Sequence, residues 1–494
     1  MLTTNREQAA PMTHSADYDR RWLILAVLCI AQLMVVLDAT VVNIALPSAQ
    51  KALHFSDGNR QWVVTAYTLA FGSLLLLGGR LSDLFGRRRT LVTGLVGFAL
   101  ASAVGGAAQS FNVLIAARAV QGIFAAILAP AALSLLTTTF TDRKERGKAF
   151  GVFGAISGAG AAIGLLIGGL LTEYLSWRWS LYVNLVFAAA AAIGALLLLS
   201  RQARPTKPRL DIAGTLIGSA GLFALVYGFS EANTNGWGAS STMAFLFAGV
   251  ALLAAFVVIE RRTAHPLLPL RVVADRNRGG AFLAILTMTI GMFGVFLFLT
   301  YYLQQTLAYS PVKSGLAFLP MIGVLIATST TSSTVLLPRL GPRLLVPTGL
   351  FLAAIGMVLF TGLDTHSTYA AHVLPGLLVL GVGIGLVSAP AMSTATLGVD
   401  RADAGVASAT VNTAQQVGGS LGIALLNTVA TTATTTFLSG KAASPGVVAS
   451  ATVHGYTTAF WWAAAIFAAG AAVCGLLLRS GAPSLEPAVE LAPA

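Results

Sequence analysis

The chain has 494 residues, of which 56% are hydrophobic and only 10% are charged, and its mean hydropathy is +0.79. Soluble domains carry about 25% charged residues, so this composition excludes a soluble enzyme, a secreted disulfide scaffold and a disordered chain. The net charge of +12 is divided among short basic clusters between apolar stretches of about 20 residues, which indicates a polytopic membrane protein and not a nucleic-acid binder.

The apolar stretches predict fourteen membrane-spanning helices, which start near residues 22, 61, 91, 111, 149, 179, 211, 241, 280, 314, 343, 369, 405 and 456. The polar segment 1–20 has no apolar core and is predicted to be a tail and not a signal peptide. An even number of helices places both termini on one side of the membrane. With that side in the cytoplasm, few basic residues lie outside, namely Lys51, Arg60, Arg178, Lys313 and Lys441. This distribution satisfies the positive-inside rule, so both termini are predicted to be cytoplasmic.

The first helix carries an aspartate, Asp38, well inside its apolar stretch. A charged group at membrane depth costs about 2.5–3.5 kcal/mol even on a lenient scale, so it is usually retained for a function. At about 1.5 Å per residue, Asp38 and Arg118 of the fourth helix lie level to within about one turn, and Gln121 can join them. We interpret these three residues as a proton-coupling site. The alternative is a static ion pair that only joins two helices.

The loop after the second helix combines glycines, one acid and several arginines. Gly79 and Gly86 permit a tight, close-packed turn. Asp83 can neutralise the start of the next helix, while Arg87 and Arg88 face the anionic inner leaflet. An ordinary basic cytoplasmic loop is the simpler interpretation. The regular spacing of Asp83 and the glycines among the arginines favours a more specific role.

A series of glycines runs along the fifth helix and includes Gly151, Gly160, Gly164, Gly168 and Gly169. Small residues at a spacing of four let neighbouring helices approach closely. Ordinary tight packing and a special role in transport both fit this spacing, and glycine spacing alone does not decide between them.

Amide and phenol groups in the first and later helices are candidates for a substrate cavity, namely Asn43, Tyr302, Gln304, Asn412 and Gln416. Interfacial anchoring and hydrogen bonds between helices are the alternative roles. The sequence contains no Walker A loop, no His/Cys metal cluster and no nucleophile elbow. We therefore expect no enzyme activity, no metal and no cofactor, and a gradient of an ion or of a substrate as the energy source.

An internal repeat organises the helices. Residues 142–149 and 400–407 both fit the pattern D-R-x-[ED]-x-G-x-A, and residues 85–88 correspond more weakly to 340–343. This register predicts six helices, an inserted pair and six more helices, as in transporters built from parallel repeats. The predicted divisions are a tail (1–20), a first six-helix bundle (21–200), an inserted hairpin with basic flanks (201–279), a second bundle (280–479) and a second cytoplasmic tail (480–494).

Together these segments resemble the major facilitator superfamily, specifically its fourteen-helix drug:proton antiporters. The family's loop, fourth-helix, first-helix and fifth-helix motifs are matched by Gly79–Leu91, Leu114–Gly122, Leu37–Pro47 and Gly151–Gly169. Leu165 stands where the family's fifth-helix motif has a proline. The resemblance implies an all-α fold of two six-helix bundles plus an inserted pair. It further implies proton coupling at Asp38, proton transfer at Arg118, an inside gate at the loop motif, and antiport through the fifth-helix motif.

The predicted function is proton-coupled efflux of amphipathic organic compounds or drugs across a bacterial cytoplasmic membrane by alternating access. The expected partners are a small organic substrate, protons and membrane lipids, with no nucleic acid, and the expected state is a monomer. A dedicated exporter of one endogenous metabolite or antibiotic, or a lipid transporter, remains an alternative. The intact loop motif and Asp38 disfavour a sensor that no longer transports.

Overall fold

The computed structural model describes residues 15–140, 142–200, 211–263, 266, 268, 270–396, 399, 404–442 and 444–479. Residues 1–14 of the predicted tail 1–20, residues 201–210 of the predicted inserted segment and the predicted tail 480–494 lie outside these residues. The described residues form helices and the turns that connect them, which confirms the predicted all-α fold.

Fourteen helices of 19 residues or more follow one another in the described residues. They are α1 (Ser15–Leu53), α2 (Trp62–Phe85), α3 (Arg87–Gly106), α4 (Phe111–Thr139), α5 (Arg143–Tyr174), α6 (Trp179–Leu198), α7 (Ile212–Asn235), α8 (Ser240–Arg262), α9 (Arg276–Tyr301), α10 (Pro311–Thr331), α11 (Pro342–Phe360), α12 (Leu374–Thr396), α13 (Ala404–Leu438) and α14 (Pro445–Leu477). By length and composition, twelve described helices can cross a membrane, while α2 and α5 contain shorter apolar stretches at Trp62–Leu75 and Ala162–Tyr174. These helices are consistent with the predicted fourteen.

The last helix starts earlier than the sequence indicates. It begins at Pro445 and not near residue 456, because Ser444 accepts a hydrogen bond from the Val447 backbone and Pro445 occupies the first turn. Gly446, Ser450, Thr452 and His454 lower the mean hydropathy of the first three turns without preventing helix formation. A hydropathy window therefore finds the apolar part of a helix and misses its polar end.

The predicted repeat is visible in two turns. Gly86 joins α2 to α3 with a φ of 88°, and Gly341 precedes α11 with a φ of 71°. A positive φ is readily adopted only by glycine. The two glycines therefore form the same kind of turn at corresponding places of the two repeats.

Two ends of the helix bundle can be distinguished by their contacts. We call the end where α1 begins and α14 ends the terminal end; there Arg21 of α1 pairs with Glu145 of α5. We call the opposite end the distal end; there Arg60, just before α2, contacts Tyr456 near the start of α14. Helices α1–α6 form the N-terminal half, and α9–α14 form the C-terminal half.

The hydrophobic core is divided unequally between these halves. One cluster lies wholly within the N-terminal half, between Leu25 and Leu199. A larger cluster fills the C-terminal half and also includes distal residues of the N-terminal half, such as Ile44, Val63 and Leu165. The two halves thus share a core at the distal end.

The inserted helices α7 and α8 lie outside the two halves, against the seam between α2 and α13. Ser219 of α7 donates a hydrogen bond to the Ser73 carbonyl at 2.9 Å, and Thr428 of α13 donates to the Phe229 carbonyl at 2.8 Å. The pair therefore contacts one helix of each half along one side of the bundle.

Candidate functional site

Asp38 of α1 and Arg118 of α4 form an ion pair in the middle of the N-terminal half. Arg118 Nη1 lies 2.6 Å from Asp38 Oδ2, and both side chains are 0% exposed. Gln121, one turn along α4, accepts from Arg118 at 2.9 Å and donates to Asp38 Oδ1 at 3.1 Å. The structure thus brings together the three residues that the sequence marks as a proton site.

Two further side chains complete this network and were not among the predicted site residues. Asn184 of α6 donates to Asp38 Oδ1 at 2.8 Å and to Ser102 Oγ at 3.1 Å. Ser102 of α3 also accepts a hydrogen bond from Gln121. Asn184 is an amide in a mostly apolar helix. This feature of the sequence could have identified it as a candidate site residue. Ser102 gave no such indication, because a single serine is common in membrane helices.

The remaining contacts of Arg118 reach the start of α2. Its Nε donates to the Val63 carbonyl at 2.9 Å, and its guanidinium lies 4.4 Å from the centre of the Tyr67 ring. Among the described residues, Arg118 Nη2 has no hydrogen-bond partner. The arginine therefore ties the first turn of α2 to the buried aspartate.

A small cavity of about 10 Å³ lies beside Arg118 on its distal side. Its walls are almost entirely apolar and include Leu46, Val63, Leu114 and Trp177. A space of about 10–15 Å³ is the least that holds one water molecule. The site accordingly has little room for anything larger than water in this state.

Proton binding by this arrangement stays a prediction. Asp38 accepts hydrogen bonds from three donors, and one of the three is the cationic guanidinium of Arg118. Protonation would remove the negative charge that compensates Arg118 and would replace an acceptor with a donor. Because every partner named lies in the N-terminal half, the network is self-contained within that half.

The loop motif joins helices of the same half. Arg88 Nη2 donates to the Leu196 carbonyl of α6 at 2.7 Å, and Gly79 lies next to Pro130 of α4. Gly86 forms the turn already described, and Arg87 begins α3. The side chain of Asp83 lies outside the described part of the structure. Gating by this motif stays a prediction.

The glycines of α5 face α1 and α10. A Cβ on Gly164 or Gly168 would meet Thr40 or Val41 of α1 at 1.9 and 2.9 Å. A Cβ on Gly169 would lie 2.8 Å from the Val312 backbone, and Gly160 packs on Val36. The surroundings of Gly151 lie outside the described part. Helix α5 is continuous through Leu165, because leucine, unlike proline, keeps the backbone N–H.

The five candidates for a substrate cavity take part in different contacts, and their role in binding a substrate stays a prediction. Tyr302 is buried in the C-terminal half and donates to the Asp364 carbonyl at 2.7 Å. Gln304 donates across the halves to the Ile44 carbonyl at 3.0 Å, and Asn43 donates within α1 to Ala39. Gln416 and Asn412 lie on α13, where the Gln416 Cβ would be 2.7 Å from a Cβ on Gly72.

A second buried arginine, Arg60, holds the halves together at the distal end. It is 2% exposed, and it donates to Asn427 Oδ1 of α13 at 3.1 Å and to the Tyr456 hydroxyl at 3.3 Å. Its guanidinium lies 4.3 Å from the Tyr301 ring centre. The sequence analysis placed Arg60 among the basic residues outside the membrane and missed this contact.

The distal end is closed by further bonds between the halves. Glu173 at the end of α5 accepts from the Val312 backbone of α10 at 2.9 Å, and Tyr301 donates to Gln50 of α1. At the terminal end the described bonds join helices of one half, as between Arg276 and the Leu476 carbonyl. The described state therefore has its halves in contact mainly at the distal end.

Comparison with known proteins agrees with this architecture. A profile of the Major Facilitator Superfamily matches residues 28–423. The chain is 53% identical over 480 residues to the puromycin resistance protein pur8 of Streptomyces alboniger, covering 95% of each protein. It is 39% identical over 429 residues to the cephamycin export protein CmcT of Amycolatopsis lactamdurans, covering 86% of this chain and 87% of that protein. A bacterial homologue of the human lysosomal transporter Spinster, in an inward-facing and occupied conformation, is similar in fold, with a TM-score of 0.65 and 15% identity over 93% of this chain and 96% of that chain.

Proposed function

The chain belongs to the major facilitator superfamily, and from this membership we propose that it exports an amphipathic organic amine from the cytoplasm in exchange for protons. Efflux follows from its similarity to antibiotic resistance and export proteins over nearly the whole chain. Proton coupling is the further step of the proposal. The observation that carries it is the fully buried Asp38–Arg118 pair, enclosed within one half.

The terminal end faces the cytoplasm in this proposal. The basic clusters at residues 87–89, 143–148 and 261–278 lie at that end, as the positive-inside rule requires. The distal end then faces outward and is closed in the described state. Alternating access would open it by rocking of the two halves.

Protonation of Asp38 would be transmitted to the distal end through α2. Arg118 holds the Val63 carbonyl, and Arg60 lies three residues before Val63, about one turn away. When Asp38 takes up a proton, Arg118 loses its anionic partner and its geometry must change. The first turn of α2, which directly follows Arg60 in the chain, is therefore the element that links the proton site to the outer closure.

The energy of one proton is sufficient for useful export. A proton that moves through about 150 mV releases about 3.5 kcal/mol, at about 2.3 kcal/mol per 100 mV. For a substrate that crosses in its uncharged form, this corresponds to a concentration gradient of a few hundredfold, at about 1.4 kcal/mol per factor of ten. One proton per substrate molecule therefore suffices for resistance to a compound that enters the cell by diffusion.

The substrate to test first is puromycin, because a puromycin resistance protein is 53% identical to this chain. Puromycin is an aminonucleoside with a protonatable primary amine and an aromatic ether, so it is an amphipathic amine. Asp38 is 0% exposed in the described state. The proposal therefore assigns Asp38 to the proton and not to direct contact with substrate in this state.

A proton-release assay tests the proposal. The purified protein is reconstituted into liposomes with an acidic interior and an internal pH dye, and puromycin is added outside. We expect internal alkalinisation by the wild type and none by Asp38→Asn. Asp364→Asn, which changes an exposed carboxylate in a distal loop, is the matched control and should behave as the wild type. Puromycin-driven proton movement at the wild-type rate in Asp38→Asn would refute the assignment.

A narrow exporter of a single antibiotic is the second candidate, because both relatives described above carry the name of one antibiotic. The same assay with a panel of lipophilic cations, dyes and neutral antibiotics separates the two. A response to puromycin alone supports the narrow exporter. A response to several unrelated amines supports multidrug efflux.

A further inference from the structure

Three aromatic rings of the C-terminal half surround the guanidinium of Arg60 at the distal end. Its Cζ lies 4.3 Å from the ring centre of Tyr301, 5.4 Å from that of Tyr456 and 5.7 Å from that of Phe298. The carbonyl oxygen of the Asn427 side chain adds an acceptor at 3.1 Å from Nε. We call Phe298, Tyr301, Tyr456 and Asn427 the distal cage.

The distal cage is built entirely by one half and is held in shape by its own packing. Phe298 lies 5.6 Å from Tyr456 and 6.2 Å from Phe460, measured between ring centres. Its three rings are 2% exposed or less. The cation that fills it, in contrast, comes from the N-terminal half. When the halves separate, Tyr301 and Asn427 would lose their bonds to the N-terminal half, while the packing of Phe298 on Tyr456 stays within one half and the occupant leaves.

The acidic partner of Arg60 leaves with it. Asp57, 3.6 Å from Arg60, belongs to the N-terminal half and its side chain is 58% exposed. The vacated cage would thus present ring faces and one amide oxygen, without a carboxylate. Ring faces attract cations and bind alkylated ammonium groups well, because the attraction does not depend on N–H donors.

On the basis of the proposed function, we propose that the distal cage is a second substrate site, which receives the ammonium group of an organic amine when the distal end opens. Arg60 and the substrate then compete for the same rings. Closure of the distal end returns Arg60 to the cage and displaces the substrate to the outside. The ligand class is a primary to quaternary organic ammonium, and anions are excluded.

Equilibrium binding of two ligands of one shape tests this site without a proton gradient. Choline and its neutral isostere 3,3-dimethylbutan-1-ol are titrated against the full-length protein in nanodiscs by saturation-transfer NMR. The variants are wild type, Arg60→Ala, which vacates the cage, and Arg60→Ala with Tyr301→Leu, which removes a ring. Arg60→Ala with Trp461→Leu is the control, because Trp461 is an exposed aromatic on the same helix as Tyr456. Arg60→Gln replaces Arg60→Ala if the alanine variant does not fold.

We expect Arg60→Ala to bind choline about tenfold more tightly than the neutral alcohol and about tenfold more tightly than the wild type does. Loss of this preference with Tyr301→Leu, and its retention with Trp461→Leu, would support the cage. Equal binding of choline and the alcohol by Arg60→Ala, or a preference that survives Tyr301→Leu, would overturn it. Because this binding assay uses no gradient, a negative result would not contradict proton-coupled efflux. Conversely, absence of proton movement in the liposome assay would not contradict the cage.

Discussion

Two buried arginines show how this transporter uses the same side chain in two different ways. Arg118 is 0% exposed and Arg60 is 2% exposed, and each guanidinium lies over a tyrosine ring, at 4.4 Å from Tyr67 and 4.3 Å from Tyr301. Arg118 is paired with a buried carboxylate and every partner described for it lies in its own half. Arg60 is held mainly by rings and an amide of the other half.

Because of this difference, we expect Arg118 to respond to the protonation of Asp38 and Arg60 to respond to motion between the halves. A buried charge must be compensated, and a carboxylate at 2.6 Å compensates Arg118 strongly without restricting motion between the halves. In the proposed function, that pair changes when Asp38 takes up a proton. The contacts of Arg60 with rings and an amide are individually weaker and cross between the halves. They can therefore break and re-form in each transport cycle.

The largest effect is expected from breaking the pair within one half. Asp38→Asn or Arg118→Met alone should lower the free energy of unfolding by about 3–5 kcal/mol, because each leaves one buried group without its partner. The double variant should lose clearly less than the sum of the two. Chemical unfolding of the purified protein in detergent measures this cycle. Additive losses would contradict a coupled pair.

Arg60→Ala should act on the distal closure and not on global stability. Loss of the ring and amide contacts should shift the balance toward the open distal end by about 2–3 kcal/mol. The reporter is Ile44→Cys, a distal position that is buried in the described state, with Cys29 and Cys474 replaced by alanine. Its labelling by an external, membrane-impermeant maleimide should rise more than about tenfold. Unchanged labelling would show that Arg60 does not hold the distal end closed.

Gly315→Ala should open the distal end at the opposite seam, between α5 and α10. A Cβ at this position would lie 2.5 Å from the Leu165 carbonyl, which is backbone and has little freedom to move. We expect a cost of about 1–2 kcal/mol to the closed state and faster labelling of Ile44→Cys. Gly323→Ala on the same helix is the control, because its Cβ would meet nothing within 4 Å. Equal labelling of the two variants would contradict this interpretation.

Thr68→Val should produce the smallest change. Ser420 of α13 donates a hydrogen bond to the Thr68 hydroxyl at 2.7 Å, between the halves and nearer the middle of the bundle. A single neutral hydrogen bond contributes about 0.5–1.5 kcal/mol, so labelling of Ile44→Cys should rise only about twofold to tenfold. If Thr68→Val raised labelling as much as Arg60→Ala does, this result would show that the main closure lies in the middle of the bundle and not at the distal end.

Much of the fold was predictable because the membrane imposes it. Backbone groups in lipid must be hydrogen-bonded within the chain, so long apolar stretches become helices. The level of Asp38 and Arg118 followed from counting residues along these helices. The repeat predicted the matching turns at Gly86 and Gly341, where a positive φ requires glycine.

The site residues that were not predicted join the site through contacts between segments that are distant in the sequence. Ser102 and Asn184 are ordinary polar residues until α3 and α6 place them on Asp38. The five cavity candidates were chosen by residue type, and only the packing shows that Tyr302 donates to the Asp364 carbonyl and Gln304 to the Ile44 carbonyl.

By itself, the sequence determined the membrane class, the helices, the repeat and the charged residues that lie deep in the bilayer, because these depend on composition and spacing along one chain. The tertiary structure alone decided the partners of Arg60 and the additional partners of Asp38, namely Asn184 and, through it, Ser102. From the sequence, Arg60 is predicted to be a basic residue beside the membrane. In the structure it is a buried cation between the halves, because residues 298, 301, 427 and 456 of the other half contact it. Such a contact depends on the relative position of two helix bundles, which no local pattern in the sequence encodes.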